Sequence, residues 1–322
     1  MRSGKKNGMK KEIIFQVVGC VFAVAFAEVS PELQKAYRLG AESKVVYKVV
    51  DDEGNVVPNA EAEVWYRSYG RSWDDAHWKT KTDTNGVFVA QHRTNERLVV
   101  AVRKNGYYFC TDDVSYFDTQ RNSVIDGKWQ PYGAEKKLVL KKVRNPIALS
   151  NHDELDCRRI PVYGDWLGFD LERFDFVAPH GGGVHEDVLL RFSLQKEGDY
   201  RASVELSFTN QLFAGVCFAR KDENSDLKFQ YYADTNAQFV TTCRYLYERE
   251  SGRPPVMNTL DEHSYLIFRT RTKVDQTGCL KSANYGILAG PLGFVGPGGF
   301  SVGRCLFNKI ENDNNLEWMR HE

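Results

Sequence analysis

Residues 165–187 carry the densest run of groups able to do chemistry in this chain. Asp165, Asp170, Glu172, Asp175, His180, His185, Glu186 and Asp187 fall within it, and Gly181-Gly182-Gly183 separates the two histidines. Histidine and carboxylate side chains together can hold a divalent ion or exchange protons with a substrate. Glycines let a backbone come close to a ligand. Two carboxylates also cut a glycosidic bond when they stand about 5–10 Å apart, a distance a sequence does not contain. His185-Glu186 does not open an H-E-x-x-H zinc motif, because Leu189 stands where the second histidine is required. The candidate metal or acid–base set is Asp170, Asp175, His180, His185 and Asp187. The competing reading of the same residues is a loop of turn formers, in which Asp and Gly serve backbone geometry.

A second concentration lies near residue 70. Tyr66, Tyr69, Trp73 and Trp78 are interleaved with Arg67, Arg71, Asp74, Asp75 and His77. Exposed aromatic rings stack on sugar faces or anchor protein partners, so these four are the candidate ligand-binding residues. The competing reading turns Tyr66 or Trp78 into a core. A third motif, Gly299-Phe300-Ser301-Val302-Gly303, matches G-x-S-x-G. A nucleophile elbow needs a strand before it and a helix after it. Here the Gly/Pro-rich stretch precedes and the strand-like Arg304-Cys305-Leu306-Phe307 follows, so no catalytic residue is assigned. The same glycine-rich segment lacks the GK[ST] of a P-loop.

The elements that must position these residues read as strands. Pro31 to Tyr37 suits a short helix. Thereafter Val45–Val50, Ala62–Tyr66, Trp78–Thr82, Val87–Val89, Leu98–Val102 and Leu138–Leu140 are short extended runs. Asp51-Asp52-Glu53-Gly54-Asn55, Asp83-Thr84-Asn85-Gly86 and Asn105-Gly106 are turn signals, and Gly86 is placed where a positive φ is needed. Ala62, Val64 and Tyr66 alternate with Glu63, Trp65 and Arg67. In the second half, Ala202, Val204, Leu206 and Phe208 alternate with Arg201, Ser203, Glu205 and Ser207, and Val188–Phe192 and Tyr265–Arg269 are further strands. No long helical period, repeat or heptad occurs. The expectation is an all-β chain of two antiparallel β-rich domains, the first a sandwich of the transthyretin-like or Ig-like kind.

The segments Val50–Ala60, Thr82–Phe88 and Val102–Tyr107, with their D-x-x-G and T-D-x-x-G-x-F turns, resemble the carboxypeptidase regulatory-like domain. The resemblance covers about residues 43–141, and Ser68 to His77 is an insertion relative to that pattern. It implies a small transthyretin-like β-sandwich serving as an accessory for stability, adhesion or positioning rather than a catalytic site. Asn145-Pro146, after the basic Lys141, Lys142 and Arg144, marks a boundary. The expected organisation is a lead-in at 28–42, the sandwich at 43–144 and a β-rich domain of unknown function at 145–322. The latter resembles, in Gly168-Phe169-Asp170-Leu171 and Asn315-Leu316-Glu317-Trp318, a region of unknown chemistry in exported bacterial proteins.

Residues 1–27 read as a signal peptide. Arg2, Lys5, Lys6, Lys10 and Lys11 precede an apolar run from Ile13 to Ala27, ending in the cleavage pattern Ala25-Phe26-Ala27. That run is short for a membrane span, so no transmembrane segment is expected once it is removed. Val17-Val18-Gly19-Cys20 is a loose lipobox, which leaves lipidation at Cys20 as the competitor to cleavage before Glu28. The chain has 322 residues with 43 Lys+Arg against 43 Asp+Glu. It therefore has no global basic field to recruit nucleic acid. Cys110, Cys157, Cys217, Cys243, Cys279 and Cys305 remain after cleavage, an even number that permits disulfides in an exported protein, with no C-x-x-C spacing. The leading expectation is an exported binding or surface-assembly protein, periplasmic, outer-surface or extracellular, without catalysis or cofactor, its partner a polysaccharide or an envelope protein. The alternative is a secreted hydrolase or divalent-metal enzyme with its site in 165–187.

Overall fold

The computed structural model describes residues 30–70, 75–116, 123–195, 200–249, 256–258, 260–295 and 298–318. The signal pattern, Cys20 and Trp73 lie outside the described residues. Ser30 caps the single helix among the described residues, α1 (Pro31–Leu39), by accepting the Leu33 N–H at 3.2 Å, and Gly40 ends it at a φ of 77°. The strands that follow are β1 (Ala41–Asp51), β2 (Glu61–Arg67), β3 (Ala76–Lys81), β4 (Val87–Thr94), β5 (Arg97–Arg103), β6 (Cys110–Ser115), β7 (Ser123–Ile125), β8 (Lys128–Gln130) and β9 (Ala134–Leu140). They make two facing sheets, β4-β1-β8-β7 with β9 added on β1, and β3-β2-β5-β6. Period-two burial explains the pairing. Tyr47 and Val49 from β1 meet Ala62, Val64 and Tyr66 from β2 and Leu98, Val100 and Val102 from β5 in one core.

The unit is not purely antiparallel. β9 runs parallel to β1, Val45–Asp51 beside Ala134–Leu140, because the chain crosses over after β6 and returns to the first sheet in the direction of β1. Gly86, at a φ of 73°, closes the β3–β4 turn; a Cβ there would meet the Val49 carbonyl oxygen at 2.6 Å.

The second half adds β10 (Ser150–Asp153), β11 (Arg158–Arg159), β12 (Trp166–Asp170), β13 (Asp175–Phe176), β14 (Val188–Gln195) and β15 (Tyr200–Ser207). It continues with β16 (Gly215–Arg220), β17 (Thr242–Arg249), β18 (Val256–Asn258), β19 (Ser264–Val274), β20 (Leu280–Val295) and β21 (Gly299–Phe307). One sheet has the order β10-β21-β20-β19-β16 with β11 on β21, and the other β13-β12-β14-β15-β17-β18. A core rich in phenylalanine, including Phe169, Phe174, Phe176, Phe192, Phe268 and Phe307, fills the space between them. Each such ring contributes about 1.5–3 kcal/mol by leaving water. β19 is buried on both faces. Leu266 and Phe268 face that core, while Tyr265 and Ile267 pack under Phe229 and Leu316 from two covering segments. Its unbroken apolar run follows from this double burial.

The C-terminal covering segment also ties the two halves together. Glu317 is wholly buried, and its carboxylate accepts the Arg144 N–H at 2.8 Å, the Asn145 N–H at 2.6 Å and the Tyr108 hydroxyl at 3.0 Å. Lys142 pairs with Asp51 at 3.0 Å and Glu53 at 2.9 Å, and Arg144 with Asp52 at 2.8 Å, so the connecting segment is held against the β1 turn. Among the described residues, no helix is long and apolar enough to cross a membrane.

Candidate functional site

The structure brings Asp170 and Asp187 together, but around an arginine. Arg271, on β19, donates from Nε and Nη2 to Asp187 at 2.8 and 3.0 Å, from Nη1 to Glu172 at 2.6 Å, and from Nη2 to Asp170 at 3.4 Å. Both aspartates are wholly buried. Asp170 also accepts four backbone N–H groups, from Glu172, Arg173, Val184 and His185, at 2.8–3.0 Å. Burial pushes the Asp170 carboxyl up, but these donors and Arg271 outweigh it and hold it below the usual carboxylate range. Burial pushes Asp187 up against the pull of Arg271. Asp175 stands across the β12–β13 ladder from Asp170, but its carboxylate accepts the Gly182 N–H at 2.9 Å, and the Arg271 ion pairs are with Asp170, Glu172 and Asp187. His180 and His185 are exposed. Among the described residues, no group of three or more His, Cys, Asp or Glu side chains is arranged to hold a metal ion. The glycines serve their own backbone: a Cβ on Gly183 would stand 2.8 Å from the Asp175 carbonyl oxygen. Asp170, Glu172, Asp175 and Asp187 thus hold turns or pair with the half-buried Arg271.

Of the aromatic candidates, Tyr66 is buried, with its ring stacked 5.8 Å from that of Trp78, and both pack into the first core. Tyr66 shares the inward parity of Ala62 and Val64, and Trp78 lies across from Val64 in register. Tyr69 is 71% exposed. The outward parity belongs to Trp65, whose ring lies parallel to that of His77 at 5.1 Å. Gly299 to Gly303 lie within β21, antiparallel to β20, so Ser301 is a strand residue. All six cysteines from Cys110 to Cys305 are free thiols, Cys110 and Cys305 buried, Cys157 and Cys279 exposed.

A cleft of about 710 Å³, which the sequence did not single out, opens where the halves meet. Tyr107, Tyr108 and Phe109 line it, with Arg103 and Lys104 beside them. The Asn105-Gly106 turn, with Gly106 at a φ of 80°, delivers this run to the boundary. The Tyr108 N–H donates to the Lys141 carbonyl at 2.8 Å and the Val143 N–H to that of Gly106 at 2.9 Å. The Arg103 guanidinium lies 5.0 Å over the Phe109 ring. Three successive aromatics were the available signal, since alternation in an extended chain cannot turn all three into one core. A smaller pocket of about 170 Å³ shares Tyr108 and Asp226 with the cleft and adds Lys221, Lys228, Arg304 and Trp318. The Lys221 ammonium donates to the carbonyls of Glu262 and, at 3.0 Å, Gly290. Burial lowers its pKa below the usual lysine value.

The fold and cleft define an all-β, sandwich-like chain with a candidate site between its halves. No family model matches the chain and no curated protein matches it. Among solved structures it is similar to the 3-chlorocatechol 1,2-dioxygenase of Rhodococcus opacus 1CP, at 15% identity over 32% of this chain and 61% of that one, with a TM-score of 0.27. It is similar to the chlorocatechol 1,2-dioxygenase of Pseudomonas putida at 13% identity, over 32% of this chain and 61% of that one, with a TM-score of 0.26. For the catechol 1,2-dioxygenase of Acinetobacter radioresistens the figures are 14%, 34%, 55% and 0.24. The chain spans less than two thirds of each of these proteins, and a likeness at this level carries nothing about chemistry.

Proposed function

We propose that this chain is an exported, non-catalytic binding protein that takes a polysaccharide of the cell envelope or surroundings into the cleft between its halves. The observation that carries this reading is the aromatic run Tyr107 to Phe109 flanked by Arg103 and Lys104. Planar apolar rings beside guanidinium and ammonium groups suit the flat faces and polar rims of sugar rings. The basic and apolar N-terminal pattern supports export, and the regulatory-like resemblance supports an accessory role. The alternative, hydrolysis or metal chemistry in 165–187, has less support, because Asp170 and Asp187 are both engaged by Arg271.

Co-sedimentation of the purified protein with a panel of insoluble polysaccharides tests the proposal. At least one polysaccharide should retain the wild type and lose it on Tyr107→Ala, while Tyr69→Ala leaves retention unchanged. Retention that depends on Tyr69 and ignores Tyr107 would move the contact to the surface first read from the sequence.

A further inference from the structure

The small pocket that shares Tyr108 and Asp226 with the cleft has a one-sided charge. The chain balances its charges overall, yet the walls here carry Lys221, Lys228 and Arg304 against the single carboxylate of Asp226. Lys228 stands 3.8 Å from Glu223, and Arg304 donates to the Asn151 side chain at 2.9 Å while its guanidinium covers the Trp318 ring at 4.6 Å. Lys221 differs from them. It is half-buried, two backbone carbonyls take two of its donors, and the carboxylates of Glu223, Asp261 and Glu262 act on it without an ion-pair contact among the described residues. An ammonium has three donors, so one remains after the two carbonyls. Taking a cation from water without an anionic partner is costly, and an arriving anion recovers part of that cost.

Size and surroundings narrow the anion. A volume of about 170 Å³ lies below the 300–1,000 Å³ of sites for drug-sized ligands, so the occupant is one small group. The pocket shares Tyr108 with the larger cleft and is also lined by Phe229 and Trp318, so an apolar body accompanies the charge. We infer that the pocket selects a carboxylated sugar residue, a uronate, of a chain lying in the cleft. Lys221 and Arg304 take its carboxylate, and Tyr107 and Phe109 take the neighbouring rings. This rests on the binding reading above and adds the class of sugar.

Calorimetric titration of the purified protein with a galacturonate oligomer and with a neutral galactose oligomer of equal length tests it. The acidic oligomer should bind at least about tenfold more tightly, as a charge-assisted contact implies. Lys221→Met and Arg304→Gln should each remove most of that preference, while Tyr107→Ala should weaken both oligomers alike. Lys228→Ala, at an exposed position, provides a second probe should Lys221→Met fail to fold, and should reduce the preference less. Equal binding of both oligomers, still lost on Tyr107→Ala, would overturn the uronate assignment and leave the binding reading in place. Binding of neither oligomer would overturn the uronate assignment, and binding unaffected by Tyr107→Ala would overturn both. Inorganic phosphate displacing the acidic oligomer more effectively than free galacturonate would overturn the sugar assignment.

Discussion

Arg271 sits at a φ of 50° among three carboxylates, with its guanidinium 4.4 Å over the Phe307 ring. A non-glycine residue in that conformation costs about 1–3 kcal/mol and persists where its surroundings over-determine it. The ion pairs to Asp187, Glu172 and Asp170 are that over-determination. Arg271→Met should therefore destabilise the protein by about 3–5 kcal/mol, because it leaves two buried aspartates without their cation. Denaturant unfolding checks this, and a loss under about 1 kcal/mol would mean the network contributes little. Asp170 and Asp187 were legible in the sequence as chemistry-bearing residues. Their partner was not, since Arg271 lies 84 positions beyond Asp187, past the end of the strand Tyr265–Arg269 that the sequence marks. The histidines at 180 and 185 drew notice by type alone, and type does not reveal that a side chain faces water.

At the level of elements, alternation placed strand faces correctly where one face meets a core. It put Ala62, Val64 and Tyr66 on one side and Trp65 on the other, and the buried Tyr66 follows from it. The parallel pairing of β9 with β1 was not legible, because strand direction depends on a crossover that no local pattern encodes. The turns were, through their Asp and Gly. Gly86→Ala should cost more than the roughly 1 kcal/mol of an ordinary turn glycine, since the added Cβ meets backbone at β1; a thermal melt reads it directly. The β1 turn also carries a pH dependence. Burial pushes the Asp51 carboxyl up, but Lys142 and the Asn55 and Glu53 donors outweigh it and hold it at about 2. The unfolded value is about 3.9, so the unfolded chain takes up this proton first. The stability it confers is present above about pH 4 and is lost as pH falls through about 2. The melting temperature should fall over that window by less in Lys142→Met than in wild type; equal falls would show that Asp51 and Lys142 are not coupled.

Across the whole molecule, the two halves are joined through the Glu317 carboxylate with the connecting segment it caps, through the backbone of Phe109 to Thr111, which pairs with Asn224 to Asp226, and through Lys141, 3.1 Å from Asp222. Glu317→Ala leaves the Arg144 and Asn145 N–H groups and the Tyr108 hydroxyl without their acceptor. These contacts are only partly buried, so each orphaned donor costs at most about 1–3 kcal/mol. Calorimetry should show the variant unfolding at a lower temperature than the wild type. An unshifted transition would mean that the contacts of residues 109–111 and Lys141 hold the halves together by themselves. The cleft itself was the least legible feature, because residues 103–109 form it only together with Asn59, Glu61, Val143 and Asp226 from distant segments. The central claim is that this cleft binds a polysaccharide. Amide hydrogen exchange of the protein, with and without a retained polysaccharide, tests it most directly. Slowed exchange should concentrate at residues 103–109 and 221–229. Protection confined to residues 66–69 and 76–81, or to 165–187, would contradict it.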